Sequence, residues 1–262
     1  MKRAYADIAE GQMHYRSECD GDPILLLHTA VGSSDQFSRM IRLLSKSHCA
    51  IAPDYLGHGE SDPAPGEYTY GDHARTVLGF MDALGIEKAC VVGHHAGSGV
   101  GVELAVAWPE RVDKLVLSSL GLWETTAGVA VVDPPNFTSR VELQPDGSHL
   151  LEWWRRADLW GNRPPEMVEE RVTEYVKAGP RGEEIHWAGR AYDARPSLPR
   201  IKCPTLVIAA VDDPFYFVAE EVHSLIPGSA LLSIEKGAID LERAMPKEFA
   251  EAVLGFLGAP GF

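Results

Sequence analysis

No apolar run in the chain approaches the roughly 18 consecutive residues that a membrane-spanning helix needs. Cationic side chains are scarce: 24 Lys and Arg stand against 38 Asp and Glu, a formal net charge of −14 over 262 residues. Nucleic acid and an anionic membrane surface both call for basic patches, so neither is an expected partner, and the charge is read as a source of solubility. The first eight residues hold one basic pair, Lys2 and Arg3, and no apolar segment, so no signal peptide is expected. Cys19, Cys49, Cys90 and Cys203 include no CxxC pair. At least three of them fall in or beside apolar strand-like runs, which predicts buried free thiols and a cytoplasmic location. Internal repeats and low-complexity tracts are absent. So is any histidine after His223, an absence that gains meaning below.

Apolar residues make up 45% of the chain, enough for a large core, and the length suits one α/β domain with an insertion. Short apolar runs alternate with amphipathic stretches. Strands are predicted over residues 4–8, 13–18, 24–28, 49–53, 114–119, 205–210 and 230–234, with another ending near residue 94. Helices are predicted after Asp35, which would cap a face of Phe37, Met40, Ile41 and Leu44, and over residues 70–84, stopped by Gly85. Another runs to Trp108 and Pro109. Further helices are predicted over 147–159, 165–177, 218–226 and 246–257, the last with Pro246 in its first turn. This alternation predicts a mostly parallel sheet with helices on both faces. Between Leu122 and Arg195 the composition changes: five of the six tryptophans (Trp123, Trp153, Trp154, Trp160 and Trp187) cluster there among proline-rich breaks.

The run Ala89-Cys90-Val91-Val92 leads into Gly93-His94-His95-Ala96-Gly97 and then a small-residue helix. This resembles the nucleophile elbow of the α/β-hydrolase superfamily, Gly-X-Ser-X-Gly at the end of a strand, with histidine where serine usually stands. Three further motifs align in order. Leu27-His28-Thr29 stands where the family has a strand ending in His-Gly. Asp54 through Asp62 reads D-x-x-G-H-G-x-S-D, close to the family's loop after the next strand, and its His58 and Ser61 are expected to be structural. The segment from Pro204 to Asp213, followed by Pro214, resembles the strand and loop that supply the triad acid, with Asp213 favoured over Asp212. The resemblance implies an α/β-hydrolase fold with a core of residues 1–121 and 196–262 and an inserted helical cap over 122–195. Three positions depart from the family pattern: His95 replaces serine, Ala238 stands at the expected position of the base, and Thr29 replaces a glycine.

A serine nucleophile needs a base, and here neither residue is present. The two changes are complementary. An imidazole at the elbow would reach into the space left beside Ala238 and approach Asp213, so His95 is expected to serve as base or nucleophile with Asp213 orienting it. The N–H of Ala96 and that of Thr29 or Ala30 would receive an oxyanion. His149, Trp123 and Trp154 are possible substrate contacts from the cap, although His149 also suits a capping role. His94 is expected in a helix-face or core contact, and Asp240 at the surface. Adjacent His94 and His95 on a tight turn, without HxxxH-type spacing, do not suit a metal, and no cofactor is expected.

The function expected is hydrolysis of a small, partly apolar carbonyl compound such as an ester, lactone or β-diketone. The alternatives are a cofactor-free lyase, isomerase or cyclase with His95 shuttling a proton, and a non-catalytic ligand-binding relative. A small-molecule substrate is the expected partner, and a homo-oligomer is possible.

Overall fold

A computed structural model describes residues 1–124, 128, 139–158 and 163–258, so Leu159 and Trp160 lie outside the described residues. Its strands are β1 (Lys2–Ile8), β2 (Gly11–Glu18), β3 (Pro23–Leu27), β4 (Cys49–Pro53), β5 (Ala89–His94), β6 (Val112–Ser118), β7 (Thr205–Ala210) and β8 (Ala230–Ile234). They form one sheet in the order β1-β2-β4-β3-β5-β6-β7-β8. β3 through β8 are parallel, and β1 and β2 make an antiparallel edge. The helices are α1 (Ser38–Leu44), α2 (Tyr70–Ala83), α3 (Ala96–Ala107), α4 (Ser148–Ala157), α5 (Pro165–Ala178), α6 (Glu184–Ala191), α7 (Ala219–Leu225), α8 (Leu241–Ala244) and α9 (Pro246–Gly258). This is the expected α/β-hydrolase architecture. No helix among the described residues is long and apolar enough to cross a membrane.

The continuous apolar runs are explained by burial of both sheet faces, since successive strand residues point to opposite sides. Leu25, Leu27, Val91, Leu115 and Val207 pack with Val77 and Phe80 of α2 and Val100 and Leu104 of α3. Their neighbours Ile24, Leu26, Val92, Val116 and Ile208 pack on the other face with Met40 and Ile41 of α1 and Phe249 and Val253 of α9.

Two local expectations change. Ser33, not Asp35, caps the turn before α1: its hydroxyl accepts from the Asp35 N–H at 3.2 Å, and a 3₁₀ turn (Ser34–Phe37) precedes the helix. The cysteines are not all free. Cys19 and Cys49 form a disulfide, while Cys90 and Cys203 remain thiols. The antiparallel register explains the pairing: Glu18 faces Ala50, so the next position along places Cys19 opposite Cys49. Residue spacing could not reveal a cross-strand neighbour 30 positions away.

The segment between β6 and β7 carries α4, α5 and α6. Helix α6 escaped the sequence reading because Gly179, Pro180 and Gly182 precede it and Gly189 interrupts it. Trp153, Ala157, Val168 and Tyr175 of this insert bury themselves with Val31 from the loop after β3. Polar ties reinforce the contact. The Ser33 hydroxyl donates to Glu174 at 2.9 Å, and Arg243 donates to Glu170 and, at 3.3 Å, to Glu174. Asp240 is not at the surface: it is buried and accepts from the guanidinium of Arg163.

The elbow rests on a second buried pair. His94, the last residue of β5, has its Nε2 3.0 Å from the Ile239 carbonyl oxygen and 3.0 Å from Glu242 Oε2, with Nδ1 2.9 Å from the Ser118 hydroxyl. Burial alone would lower the His94 pKa, but the Glu242 carboxylate outweighs it and holds the imidazole above its usual value of 6.5. Burial pushes Glu242 upward in turn, and His94 with Arg243 pulls it below the ordinary carboxylate value of 4.5.

The turn itself demands small neighbours. His95 has φ 50° and ψ −112°, a strained conformation for a side-chain-bearing residue. A Cβ on Gly93 would lie 2.3 Å from the Gly97 carbonyl oxygen, and one on Gly97 would lie 2.0 Å from that of Leu27. Both obstacles are backbone. Gly97→Ala is therefore expected to lower stability by about 3 kcal/mol, read from the denaturant midpoint.

Glu242→Gln tests the buried pair. Folded His94 holds its proton more tightly than unfolded His94, so this stabilisation is complete below pH 6.5 and fades as pH rises through the raised folded value. At pH 6 the variant should be less stable than the parent by roughly 3 kcal/mol. The gap should narrow as the pH rises above 6.5 in equilibrium unfolding.

Candidate active site

Strand β5 delivers His95 to the top of the sheet, and the loop after β7 delivers Asp213 beside it. His95 Nε2 lies 2.8 Å from Asp213 Oδ2, with both residues buried. The second oxygen, Asp213 Oδ1, accepts the Phe215 N–H at 2.8 Å. Burial alone would raise the Asp213 pKa, but His95, the Phe215 N–H and His94 together hold it below 3.8. The carboxylate is thus ionised and can only accept, which places a proton on Nε2, so that in the neutral tautomer the lone pair is on Nδ1. Nδ1 has no hydrogen-bond partner among the described residues. Asp212, its sequence neighbour, is exposed.

The elbow backbone is fixed from several sides. The His95 N–H donates to the Ser118 carbonyl at 2.9 Å, and the Ser98 hydroxyl donates to Gly93 and Ser118 carbonyls at 2.8 and 2.9 Å. The His94 ring stands edge-on to the His95 ring with centroids 4.6 Å apart, and Phe215 closes the other side at 5.6 Å. The His94–Glu242 pair beneath thus holds a residue that the sequence suggested only as a core contact.

The cavity above His95 is lined by Thr29, Ala30, Ala96, Tyr70, Leu120, Trp123, Arg171, His186, Phe215 and Ile239 among others. The Ala96 N–H opens α3 and has no acceptor within the helix. The Ala30 N–H is likewise unpaired among the described residues. Thr29 differs from expectation: its N–H donates to Gln36 Oε1 at 3.1 Å, which leaves Ala96 and Ala30 as the available donor pair.

Two of the suggested insert contacts are displaced as well. His149 Nδ1 accepts the Gln144 N–H at 3.0 Å and its ring packs against Trp153 at 5.2 Å, so it braces the start of α4 and does not line the cavity. Trp154 is 39% exposed and is not among the residues that line the cavity. Trp123 does line the cavity. Its Nε1–H donates to the Gly189 carbonyl at 2.8 Å, and its ring meets Phe215 edge-on at 5.1 Å.

The D-x-x-G-H-G-x-S-D loop is structural. Asp54 accepts from the Ser34 N–H at 2.6 Å, the Glu60 N–H at 2.9 Å and His14 Nδ1 at 2.8 Å. Burial pushes its pKa up, but these donors prevail and bring it to about 2. Behind Thr29, the Tyr55 N–H donates to His28 Nε2 at 3.0 Å, and burial drives the His28 pKa down to about 3, so this imidazole is a neutral brace. Arg171, His186, Tyr70 and Phe215 were not found from sequence, because no motif marks them and only the folded insert and loops bring them to the cavity. Among the described residues no group of three or more His, Cys, Asp or Glu is arranged to hold a metal ion.

Comparison with known proteins agrees with this architecture. Residues 22–238 match the alpha/beta hydrolase fold family. A relative in Azorhizobium caulinodans, named as a candidate carbamate hydrolase, RutD, is 28% identical over 97% of this chain and 98% of its own length. Haloalkane dehalogenase 2 of Mycobacterium tuberculosis is 26% identical over 96% of this chain and 93% of its own. The crystal structure of an enol-lactonase from Burkholderia xenovorans LB400 superposes with a TM-score of 0.79 at 22% identity, covering 98% of this chain and all of that one. Together with the elbow-centred parallel sheet, these matches establish that the chain belongs to the α/β-hydrolase fold family and is an enzyme of that superfamily.

Proposed function

We propose that the protein hydrolyses a small, partly apolar carbonyl compound, an ester, a lactone or a β-diketone, with His95 in the place of the usual serine–histidine pair. The observation that carries this reading is the 2.8 Å contact between His95 Nε2 and Asp213 Oδ2. It supplies an oriented imidazole with its free nitrogen unpaired beside two unpaired N–H groups.

In this mechanism Nδ1 takes a proton from water as the water oxygen attacks the carbonyl carbon. The oxyanion accepts from the Ala96 and Ala30 N–H groups, and α3 adds the positive end of its dipole. Collapse breaks the bond to the leaving group, which takes the proton back from Nδ1. Asp213 stabilises the imidazolium in between. On the nucleophilic variant of the route, Nδ1 attacks the carbonyl carbon, the bond to the leaving group breaks and that group departs with a proton from water, and the remaining hydroxide attacks the acyl-imidazole to release the acid and restore the free Nδ1. Tyr70, Leu120, Trp123, Phe215 and Ile239 offer the apolar part of the cavity. The name of the RutD relative also refers to hydrolysis at a carbonyl group. An oxyanion pair suits such a carbonyl better than it suits an alkyl halide, which develops no oxyanion.

Turnover of p-nitrophenyl butyrate and of small lactones tests the proposal. His95→Ala should lower kcat/KM about 10⁴-fold, and Asp213→Asn by about 10²- to 10⁴-fold with the fold retained by circular dichroism. Unchanged rates in both variants would refute the role assigned to His95.

A further inference from the structure

Four arginines among the described residues are buried as whole residues: Arg16, Arg156, Arg171 and Arg243. Three of them reach a carboxylate. Arg16 lies 2.8 Å from Asp35, Arg156 lies 3.2 Å from Glu183, and Arg243 lies 3.3 Å from Glu174. Arg171, on α5, is 6% exposed, and no ion pair holds it among the described residues. Its Nη2 donates to the Ala30 carbonyl at 3.3 Å, while Nη1 is buried with no hydrogen-bond partner. The neighbouring acids of α5 turn elsewhere: Glu170 meets Arg39 at 3.2 Å, and Glu174 accepts from Ser33 at 2.9 Å. Its guanidinium lies 5.9 Å from the Tyr175 ring, and with no carboxylate partner among the described residues it would be neutralised by an anion that enters the cavity it lines.

We propose that Arg171 is a specificity-determining residue that binds a carboxylate carried by the substrate. The inference rests on the hydrolytic reading of the site and narrows it to acidic esters or lactones. A single guanidinium edge matches one planar, singly charged carboxylate in shape and charge. Position follows from Ala30, whose N–H faces the oxyanion and whose carbonyl holds Arg171. The two ends of the substrate therefore sit on either side of one residue. A spacer of about two to four carbons between the scissile carbonyl and the carboxylate spans such a gap.

The probes are p-nitrophenyl butyrate and mono-p-nitrophenyl glutarate, which differ at the far end of the acyl group by a carboxylate. The parent enzyme should favour the glutarate ester, and Arg171→Gln should lower the charged-to-neutral ratio of kcat/KM about 10- to 100-fold. Arg171→Lys, which keeps the charge and loses the fork, should recover part of that ratio. An unchanged ratio in Arg171→Gln overturns the proposal. Should that variant not fold, competition on the parent enzyme decides. Monomethyl glutarate should inhibit at least tenfold more tightly than dimethyl glutarate or inorganic phosphate; equal inhibition by the diester, or tighter inhibition by phosphate, overturns the assignment. Quenching of tryptophan fluorescence by monomethyl glutarate in His95→Ala separates the two readings. Retained binding with lost turnover supports both. Retained turnover refutes the role of His95 without touching Arg171, and lost binding in Arg171→Gln alone supports the carboxylate site.

Discussion

The whole molecule depends on one strained turn. At φ 50° and ψ −112°, His95 reverses the chain from a buried strand into a buried helix within a single residue. That reversal is possible only because Gly93 and Gly97 let backbone approach backbone where any Cβ would collide. Strain of this kind persists when its surroundings over-determine it. Here the surroundings are the bond to Ser118, the Ser98 bridge, and the His94–Glu242 pair beneath. The result is an imidazole whose base is fixed and whose ring direction is set by Asp213.

The insert is joined to the core by charge as much as by apolar packing. Glu170 and Glu174 of α5 meet Arg243 of α8, Arg163 meets Asp240, and Ser33 completes the set. These ties anchor α5, and α5 carries Arg171 over the loop that presents Ala30. The polar groups that fix the insert to the core thus also set the height of the guanidinium above the reacting centre.

The features legible in the sequence were those encoded by neighbours along the chain. The elbow glycines, the apolar runs and the Asp54–Asp62 loop all mark local backbone geometry, and they led to the fold and to the pairing of His95 with Asp213. Features decided by register or by tertiary approach were not legible. Cys19 meets Cys49 only through the antiparallel β2–β4 register. Thr29 lost its place as a donor because Gln36, seven residues on, folds back to take its N–H. His149 and Trp154 belong to the right segment but do not line the cavity, and Asp240 is buried beside an arginine of the insert.

The proposed route, with His95 Nδ1 as its proton carrier, has a consequence for the bond broken. On that route Asp213 accepts at the far nitrogen without taking the proton away. The departing oxygen or carbon is on that route protonated by the same atom that accepted the proton. Groups that leave readily as anions, such as enolates and phenolates, need that returned proton least. A simple alkoxide needs it most. The proposed chemistry is in this way biased by the basicity of the leaving group, a preference set by the position of one nitrogen.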